Sequence, residues 1–489
     1  MKMLKLFIRS LMLISLALVI TTCAVNPVTG KTQVMLMSEQ QEIQMGQEYD
    51  PQVVATFGEY KNDALLSAIS TKANEIGKIS HRPNLQWHVK ILDSPVVNAF
   101  AVPGGYIYFT RGILAQFNNE AELIGVLGHE MGHVTARHSV SQQSKQQLGQ
   151  ILLMGGMMVS EKFAQYGQQA MQAMQVLFLK FSRDNERESD RLGVEYMTKI
   201  GYDGNKMADF FEVLNKQSMA EEQGGIPTFL STHPNPADRN NAVRKLTKAW
   251  QDSIQKPEWI VNSEGYLKMI DGIIYGDDPR QGYTEGNIFY HPELKFRFNY
   301  PAEWQFQNSP MQVATAPKDG KAMIVFSVAQ QKTPEEASQA TTKELGLTIK
   351  DSKNITVNKL PAVAVLGTQV QQDQATGQQA AANQLLSYYI SYGGNVYVFH
   401  GVSAEADFSK YQKEIESTLS SFAPLNDQSK INVKPKRIFV KPAKQAGSFS
   451  QVLASLGVPQ NQFKDLALLN NLELNSNVPA GKLIKVIGE

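Results

Sequence analysis

Cysteine and long apolar runs are scarce in this sequence, and neither sign of charge is in excess. Each of these shortages excludes a class of protein. Among 489 residues there is one cysteine, Cys23, so a disulfide framework and a cysteine-based metal site are excluded. Lys and Arg total 47 against 46 Asp and Glu, a balance that argues against nucleic-acid binding and predicts no nucleic-acid partner. With eight histidines as the remaining soft ligands, any metal site has to combine histidine with carboxylates.

The one long apolar run lies at the N-terminus, after a short basic stretch. Residues 11–20 are apolar apart from one serine, which is short for a membrane-spanning helix and predicts a secretory signal peptide at 1–22. Cys23 follows directly, an arrangement that resembles a bacterial lipobox. The resemblance implies an exported protein that a lipid on Cys23 anchors to the membrane, and Ala24 favours the periplasmic face of the outer membrane in a Gram-negative host. The alternative is a plain signal peptide with an incidental cysteine.

The rest of the chain predicts a multidomain α+β protein. Ser38 and Gln41 stand in capping-box register at the start of a helix, and Gly393-Gly394 predicts the turn of a hairpin. A Met-rich segment at 148–175 is either adaptable core or a movable wall beside a substrate groove. The predicted units are a lipidated tether at 23–37, a mainly helical domain with a small sheet at 38–275, a separate α+β domain at 286–425, a polar linker at 426–436 and a small module at 437–489.

The C-terminal segment 437–489 resembles a LysM-type module with a βααβ order of elements. The Gly-Asp-Thr turn that usually opens such a module is replaced by residues 445–448, Gln-Ala-Gly-Ser. The resemblance implies contact with peptidoglycan or with an envelope protein. Residues 430–444 hold six basic side chains and no acid, which is typical of a solvated linker or of a contact with an anionic surface.

A metal-binding pattern occurs at His129-Glu130-Met131-Gly132-His133. Two histidines four apart on a helix lie on one face, about 6 Å apart along the axis, and can converge on one zinc ion. A zinc ion lowers the pKa of a bound water toward neutrality, and Glu130 is then placed to take its proton. We therefore expect one Zn²⁺ per chain. Arg137 and His138 lie outside the pair and are predicted to cap the end of the helix.

Catalytic zinc has three protein ligands and one open position, so a third ligand is needed. Glu186 and Asp190 stand four apart on one face of a second long helix, whereas Glu188 points elsewhere. A solvated acidic face is the alternative for this cluster. The two single histidines farther along, His291 and His400, are interpreted as structural.

At this point several motifs together resemble a known family. They are HEMGHVTARH, then ESDRLG, then NPVTGKTQ after the cysteine, NAFAVPGGYIYFTRGIL and LSTHPNPADR. The set, over residues 26–275, is similar to the zinc metallopeptidases that include the HtpX heat-shock protease, the CAAX prenyl endopeptidase and BepA-type proteases. The resemblance implies a zincin-type fold for the helical domain, with His129, His133 and Glu186 as ligands, Glu130 as general base and Asp190 as a residue that orients a ligand.

Two further segments gain roles from the resemblance. Asn98, Ala99 and Phe100 would belong to a strand that pairs with substrate polypeptide, although an ordinary core hairpin has the same pattern. His233 would be a displaceable fourth ligand that blocks the water, and Arg239 would help to hold substrate or the oxyanion. The alternative is a loop histidine beside an ordinary surface charge.

These observations predict a zinc endopeptidase of the bacterial envelope that hydrolyses exported, misfolded or misassembled polypeptides. Two other classes stay open. One is a non-catalytic assembly or holding factor that binds polypeptides in the same groove. The other is a cell-wall glycan-binding protein that works through residues 437–489.

Overall fold

The computed structural model describes residues 23–144, 181–220, 228–233, 239–372 and 379–489. The predicted signal peptide at 1–22 and the Met-rich segment at 148–175 lie outside the described residues. In the part of the chain that the structure describes, no helix combines the length and the apolarity that crossing a bilayer requires.

Residues 23–275, called the helical region below, consist mainly of helices around a small sheet. The elements in chain order are β1 (Cys23–Val25), β2 (Thr32–Val34), α1 (Glu39–Phe57), α2 (Asp63–Ile79), β3 (His88–Leu92), β4 (Ala99–Val102), β5 (Tyr106–Thr110), α3 (Arg111–Gln116), α4 (Glu120–Thr135), α5 (Arg183–Lys199), α6 (Asn205–Ala220), α7 (Thr228–Thr232), α8 (Arg239–Ile254) and α9 (Ser263–Met269).

Local sequence signals explain several of these boundaries. The side chains of Ser38 and Gln41 each accept a hydrogen bond from the other's backbone N–H, so the predicted capping box of α1 is confirmed. Helix α4, which carries His129 and His133, ends at Thr135, and after a two-residue turn residues 138–144 are helical again. Arg137 lies in that turn with a φ of 57°, which interrupts the helix.

The small sheet has the order β3-β5-β4, with β4 at one edge. β3 runs parallel to β5 and β4 runs antiparallel to it. Every residue of β4 and β5 is buried. The apolar residues of this sheet and of the surrounding helices form one large core, which fixes where β4 lies relative to the helices.

Helices α4 and α5 cross at their glycines, and this close approach positions the site. A Cβ added to Gly128 would lie 3.1 Å from the Cα of Gly193, and one added to Gly193 would lie 3.0 Å from the backbone nitrogen of His129. Either distance is tighter than ordinary van der Waals contact. Because no side chain separates the two backbones, short acidic side chains on α5 can reach histidines on α4.

Residues 283–425, called the sheet region below, form a second unit with its own aromatic core. Its elements are β6 (Tyr283–Glu285), β7 (Ile288–His291), β8 (Phe296–Asn299), β9 (Gln305–Asn308), β10 (Gln312–Ala316), β11 (Ala322–Val328), α10 (Pro334–Leu345), β12 (Thr348–Val357), β13 (Leu360–Gln372), β14 (Gln379–Tyr392), β15 (Asn395–Ala404), α11 (Phe408–Ser420) and β16 (Ala423–Pro424).

The strands of the sheet region form two antiparallel sheets, of seven strands in the order β12-β13-β14-β15-β11-β10-β9 and of four in the order β16-β8-β7-β6. β14 and β15 form a hairpin closed by a Tyr392–Asn395 pair, so the turn predicted at Gly393-Gly394 is confirmed. Both glycines have positive φ, at 60° and 84°, as a two-residue turn of this kind requires.

The C-terminal module, residues 437–489, packs directly on the helical region. After a short helix α12 (Gln428–Ile431), its elements are β17 (Arg437–Pro442), β18 (Gly447–Ser448), α13 (Phe449–Ser455), α14 (Phe463–Leu469), β19 (Asn477–Val478) and β20 (Leu483–Gly488). Two-stranded sheets join β17 to β20 and β18 to β19.

One side chain of the C-terminal module enters the helical region. Lys485 of β20 is fully buried, and its Nζ donates to the carbonyls of Ala115, Gln116 and Phe117 at 3.0–3.1 Å. Apolar residues of the module belong to the same core as the helical region. The module therefore shares a core with the helical region.

Candidate metal centre

Four side chains that can bind a metal converge where α4, α5 and the end of α7 meet. His129 and His133 come from α4, Glu186 from α5, and His233 from the residue after α7. One ligand atom from each lies within 4.8 Å of the others. All four side chains are almost completely buried, so the sequence-predicted ligands are brought together in the interior.

The separations between these atoms agree with a tetrahedral site. Ligand atoms about 2.0–2.1 Å from a zinc ion are about 3.3 Å from one another at tetrahedral angles. The His129 Nε2 lies 3.1 Å from His133 Nε2 and 3.2 Å from His233 Nδ1. Glu186 Oε1 lies 3.4 Å from His133 Nε2 and 3.1 Å from His233 Nδ1. The residues present therefore fit a tetrahedral metal ion with one carboxylate and three imidazole ligands.

The protons of the imidazoles support the same conclusion. His129 Nδ1 lies 2.9 Å from Asp190 Oδ1, so the proton of a neutral His129 ring belongs on Nδ1. Its Nε2 then carries a lone pair that faces the Nε2 of His133. Two lone pairs at 3.1 Å repel unless a proton or a cation lies between them.

Burial and opposite charge act against each other at these groups. Burial favours neutral forms, yet His233, His129 and His133 around Glu186 hold the pKa of that carboxyl well below its ordinary value. Burial lowers the pKa of His133 well below its ordinary value. His129 is also buried, but hydrogen bonds to Asp190 and Glu186 raise its pKa. The pocket therefore keeps an ionised carboxylate beside a neutral imidazole, which is the ligand state that metal binding requires.

Arg239, the first residue of α8, contacts the site through Asp190. Its Nε and Nη2 each donate to that carboxylate at 2.7 Å, and its guanidinium lies 3.9 Å from the ring centre of Phe211. Its Nη1 has no hydrogen-bond partner among the described residues. Arg239 thus clamps the carboxylate that orients His129, and one of its donors is left for another group.

Glu130 lies beside the cluster without joining it. Its side chain is fully buried, and neither carboxylate oxygen has a hydrogen-bond partner in the described parts of the chain. His233 lies close to this carboxyl, with its Nε2 3.6 Å from Oε1. Burial raises the pKa of Glu130 to about 8. A buried carboxyl without a partner is costly, and such a group is expected where it serves a reaction rather than the fold.

The segment that carries His233 also contacts the start of the predicted substrate strand. Phe229 of α7 donates its backbone N–H to the carbonyl of Val97 at 3.0 Å and stacks on the His233 ring at 4.6 Å. Asn98 is next in the chain; it is fully buried, and its side-chain atoms have no hydrogen-bond partner among the described residues. The metal cluster and the edge strand β4 are therefore adjacent, with α7 against both.

Comparison with known proteins agrees with this geometry. Residues 63–247, which include all four candidate ligands, match the family described as "Peptidase family M48". This part of the chain is similar to the peptidase domains of that family.

The similar curated proteins extend beyond the matched part. The chain is 28% identical over 262 residues to the beta-barrel assembly-enhancing protease of Yersinia pestis, covering 52% of each chain. It is 30% identical over 227 residues to the protein of that name from Escherichia coli K12, covering 44% of this chain and 45% of that one. It is 34% identical over 168 residues to the mitochondrial metalloendopeptidase OMA1 of Arabidopsis thaliana, covering 34% and 32%. The chain thus spans from about a third to about half the length of these relatives.

Solved structures add no assignment. Cyanobacterial PsbP from Synechocystis, for example, covers 29% of this chain and 94% of its own at 10% identity, with a TM-score of 0.24. That similarity is too low to assign a fold.

One part of the candidate site was missed by the sequence reasoning. Arg137 and His138, predicted as a helix cap, have other partners: Arg137 pairs with Glu42 at 2.8 Å, and His138 Nδ1 lies 3.0 Å from His133 Nδ1. Glu188, predicted to point away, contacts His138 Nε2 at 3.1 Å. Its direction on α5 is indeed different from that of Glu186, but a histidine connects it to the site.

Proposed function

We propose that this protein is a zinc-dependent endopeptidase in which His129, His133 and Glu186 hold the metal and Glu130 is the general base. The observation that carries the proposal is the buried cluster of ligand atoms with tetrahedral spacing, next to a buried carboxyl that has no hydrogen-bond partner among the described residues. The match to a peptidase family over the same residues supports it. Zinc, when bound, supplies a Lewis acid and lowers the pKa of a water.

Side chains of this protein carry out the proton transfer and hold the ligands and the substrate. Glu130 takes a proton during attack on the peptide bond and returns it to the departing amine. Asp190 keeps the proton of His129 on Nδ1, and Arg239 holds that carboxylate in place. The free Nη1 of Arg239 is a donor that can bind substrate or the developing oxyanion, a role that fits a cationic group beside the reacting carbonyl.

The substrates that this geometry favours are extended polypeptides. β4 is an edge strand, and a peptide segment can add to such an edge through its main chain, with little demand on side chains. The buried amide of Asn98 offers an unpaired donor and acceptor for that main chain. Low side-chain specificity suits an enzyme for misfolded or misassembled exported proteins, and the assembly-enhancing proteases among the relatives favour an envelope role.

His233 would keep the site closed between substrates. Its Nδ1 takes the fourth tetrahedral position, 3.2 Å from His129 Nε2, which a catalytic water needs. The contact between Phe229 and Val97 places the same segment against the substrate strand. One movement of this segment would therefore free both the metal and the strand.

Location is proposed from the sequence. A lipid on Cys23 would anchor the protein at the periplasmic face of the outer membrane, and residues 437–489, as a LysM-like module, would contact peptidoglycan or an envelope protein. A Cys23→Ser protein that stays on membranes after signal removal would contradict the lipid anchor.

The deciding experiment compares the wild type with Glu130→Gln on casein or another unfolded protein. The substitution keeps the size of the side chain and all the metal ligands, so zinc content and thermal unfolding should not change. Cleavage should fall by at least about a hundredfold, because only the base is lost. A Glu130→Gln protein with full activity would refute the mechanism. Equal zinc content without cleavage by the wild type would favour a holding factor, which is the second candidate function.

A further inference from the structure

The two histidines of α4 are held in different ways. His129 contacts a carboxylate directly, with Nδ1 2.9 Å from Asp190 Oδ1. His133 contacts another histidine, because its Nδ1 lies 3.0 Å from the Nδ1 of His138. On its other side, His138 Nε2 lies 3.1 Å from Glu188 Oε2. The second arrangement is a chain of three side chains from α4, the helical residues 138–144 and α5.

The position of each proton in this chain follows from its two ends. Nε2 of His133 faces the ligand cluster, 3.4 Å from Glu186 Oε1, and must carry a lone pair to bind a metal. The proton of a neutral His133 is then on Nδ1 and is donated to His138 Nδ1. His138 accepts there, so its own proton is on Nε2 and is donated to Glu188. A carboxylate at the far end therefore fixes both rings in one tautomer.

We propose that His138 and Glu188 are positioning residues that hold His133 in its metal-binding tautomer, an inference that rests on the proposed function. The carboxylate of Glu188 does not contact His133. In this relay it acts on His133 through the imidazole of His138. The relay does for His133 what Asp190 does for His129. A carboxylate that orients a ligating histidine raises the basicity of the imidazole and fixes the orientation of the ring.

The surroundings of His138 favour this role over that of a free ion pair. His138 and His133 are buried to within 2% of full burial, and Phe181 stacks on His133 with ring centres 4.0 Å apart. Ser189 Oγ, 3.4 Å from His138 Nδ1, is farther away than the His133 nitrogen and so competes weakly.

A purely structural role, in which His138 only joins α5 to the helix after α4, predicts something different. Such a contact would be replaced by any side chain of similar size and would leave the metal site unchanged. A relay depends on an acceptor at the Nδ1 position. The two interpretations therefore differ in the effect of replacing His138 by asparagine or by leucine, because the amide oxygen of asparagine occupies the Nδ1 position and leucine offers no acceptor.

The test uses the full chain with zinc and cobalt as probes. Zinc affinity is measured by competition with a chelator, and the environment of the ligands is measured from the visible absorption of the Co²⁺-loaded protein. His138→Leu should weaken zinc binding about tenfold or more and alter the Co²⁺ spectrum, because outer partners of ligating histidines typically contribute ten- to a hundredfold. His138→Asn should recover most of that loss, and Glu188→Gln should cost less than His138→Leu.

The control is His400→Gln, which changes a partly buried histidine of the sheet region whose Nδ1 pairs with the hydroxyl of Ser387. It should leave zinc affinity and the Co²⁺ spectrum unchanged. Circular dichroism of each metal-free variant checks the fold, and if His138→Leu does not fold, Glu188→Gln and His138→Asn carry the test. A wild type that binds no zinc would refute the proposed function. Two results would refute the relay alone. In one, the wild type, His138→Leu and Glu188→Gln all bind zinc equally well. In the other, His138→Asn binds zinc as weakly as His138→Leu.

Discussion

The helical region and the sheet region both contain histidines that are shielded from water, but the side chains around those histidines differ. His129 and His133 are buried beside the carboxylates of Glu186 and Asp190, whereas His291 and His400 are partly buried. In the sheet region, His291 accepts a hydrogen bond from the backbone N–H of Leu294, and His400 pairs with the hydroxyl of Ser387. Burial lowers the pKa of His291 and of His400 to about 4, so both are neutral at pH 7. Buried carboxylates, rather than buried histidine, distinguish the candidate site.

The physical reason is the cost of burying charge. A neutral imidazole with one hydrogen bond can be placed in a core at modest cost, whereas an ionised carboxylate needs a charged partner or a metal. Asp190 has Arg239 as such a partner. Glu186 is surrounded mainly by imidazoles, which compensate a carboxylate fully only when protonated or when a cation lies between them. The comparison between the two regions can therefore be tested by changing one charge at a time.

The largest effect is expected from Glu186→Gln. The variant keeps the shape of the side chain but removes the anionic ligand, so zinc affinity should fall by at least about a hundredfold and proteolysis with it. Metal content after dialysis and chelator competition measure the change. Glu195→Gln is the matched control on α5, because Glu195 pairs with Arg191 and Lys199 away from the site. Similar zinc loss in both variants would mean that general charge, not ligation, holds the metal.

Features that depend on neighbouring residues were predictable from the sequence. The capping box of Ser38 and the hairpin turn at Gly393-Gly394 each follow from contacts within a few positions of the chain. The spacing of His129 and His133 belongs to this class, because a helix alone places them on one face.

Features that depend on packing between distant segments were not predictable. Glu188 meets His138 across 50 positions, and Lys485 meets the carbonyl of Ala115 across 370. Neither residue differs in local pattern from an exposed glutamate or an exposed lysine. The core that the C-terminal module shares with the helical region depends on the same kind of contact, and a polar connecting segment gave no sign of it. The role proposed for residues 437–489 in binding an envelope partner stays a prediction.

The second-largest effect is expected for Lys485, the only lysine among the described residues that is completely buried. Burial lowers the pKa of Lys485 to about 7 and raises that of its neighbour Glu122 to about 7. Between pH 7 and pH 10 the unfolded chain then holds a proton on Lys485 that the folded chain has lost. The free energy of unfolding of the wild type, relative to Lys485→Met, should therefore rise with pH in this window, by up to about 1 kcal/mol per pH unit.

Denaturant titrations of both proteins at several pH values measure this difference. Loss of Lys485 removes a positive charge from beside Glu122 and raises the pKa of Glu122 further. The stability of the variant then falls with pH over the same range. This effect also makes the stability of the wild type, relative to the variant, rise with pH. Lys482→Met, on an exposed lysine of the same module, is the control and should show no such slope. A relative stability that is constant with pH would mean that Lys485 is not buried in solution.

A smaller change is expected from His233→Ala. Three ligands remain, so zinc should stay bound, while the fourth position becomes available to water. Cleavage of an unfolded substrate, and self-digestion, should increase several-fold, because α7 no longer holds the site closed. Both rates are measured with purified protein over time. Loss of cleavage would instead place His233 at the oxyanion, and unchanged zinc affinity, cleavage and self-digestion would leave it a loop residue.

The smallest effect is expected at His400, and it decides whether the comparison between the regions is sound. His400 is partly buried, and this burial already keeps it neutral at pH 7, so no proton and no ligand is lost when it becomes glutamine. His400→Gln can retain the bond to Ser387, and the free energy of unfolding should change by no more than about 1 kcal/mol, with proteolysis unaffected. Thermal unfolding and casein cleavage measure the two quantities. A loss of proteolysis in this variant would show that the sheet region contributes to catalysis, and that a partly buried histidine without carboxylates can still belong to a site.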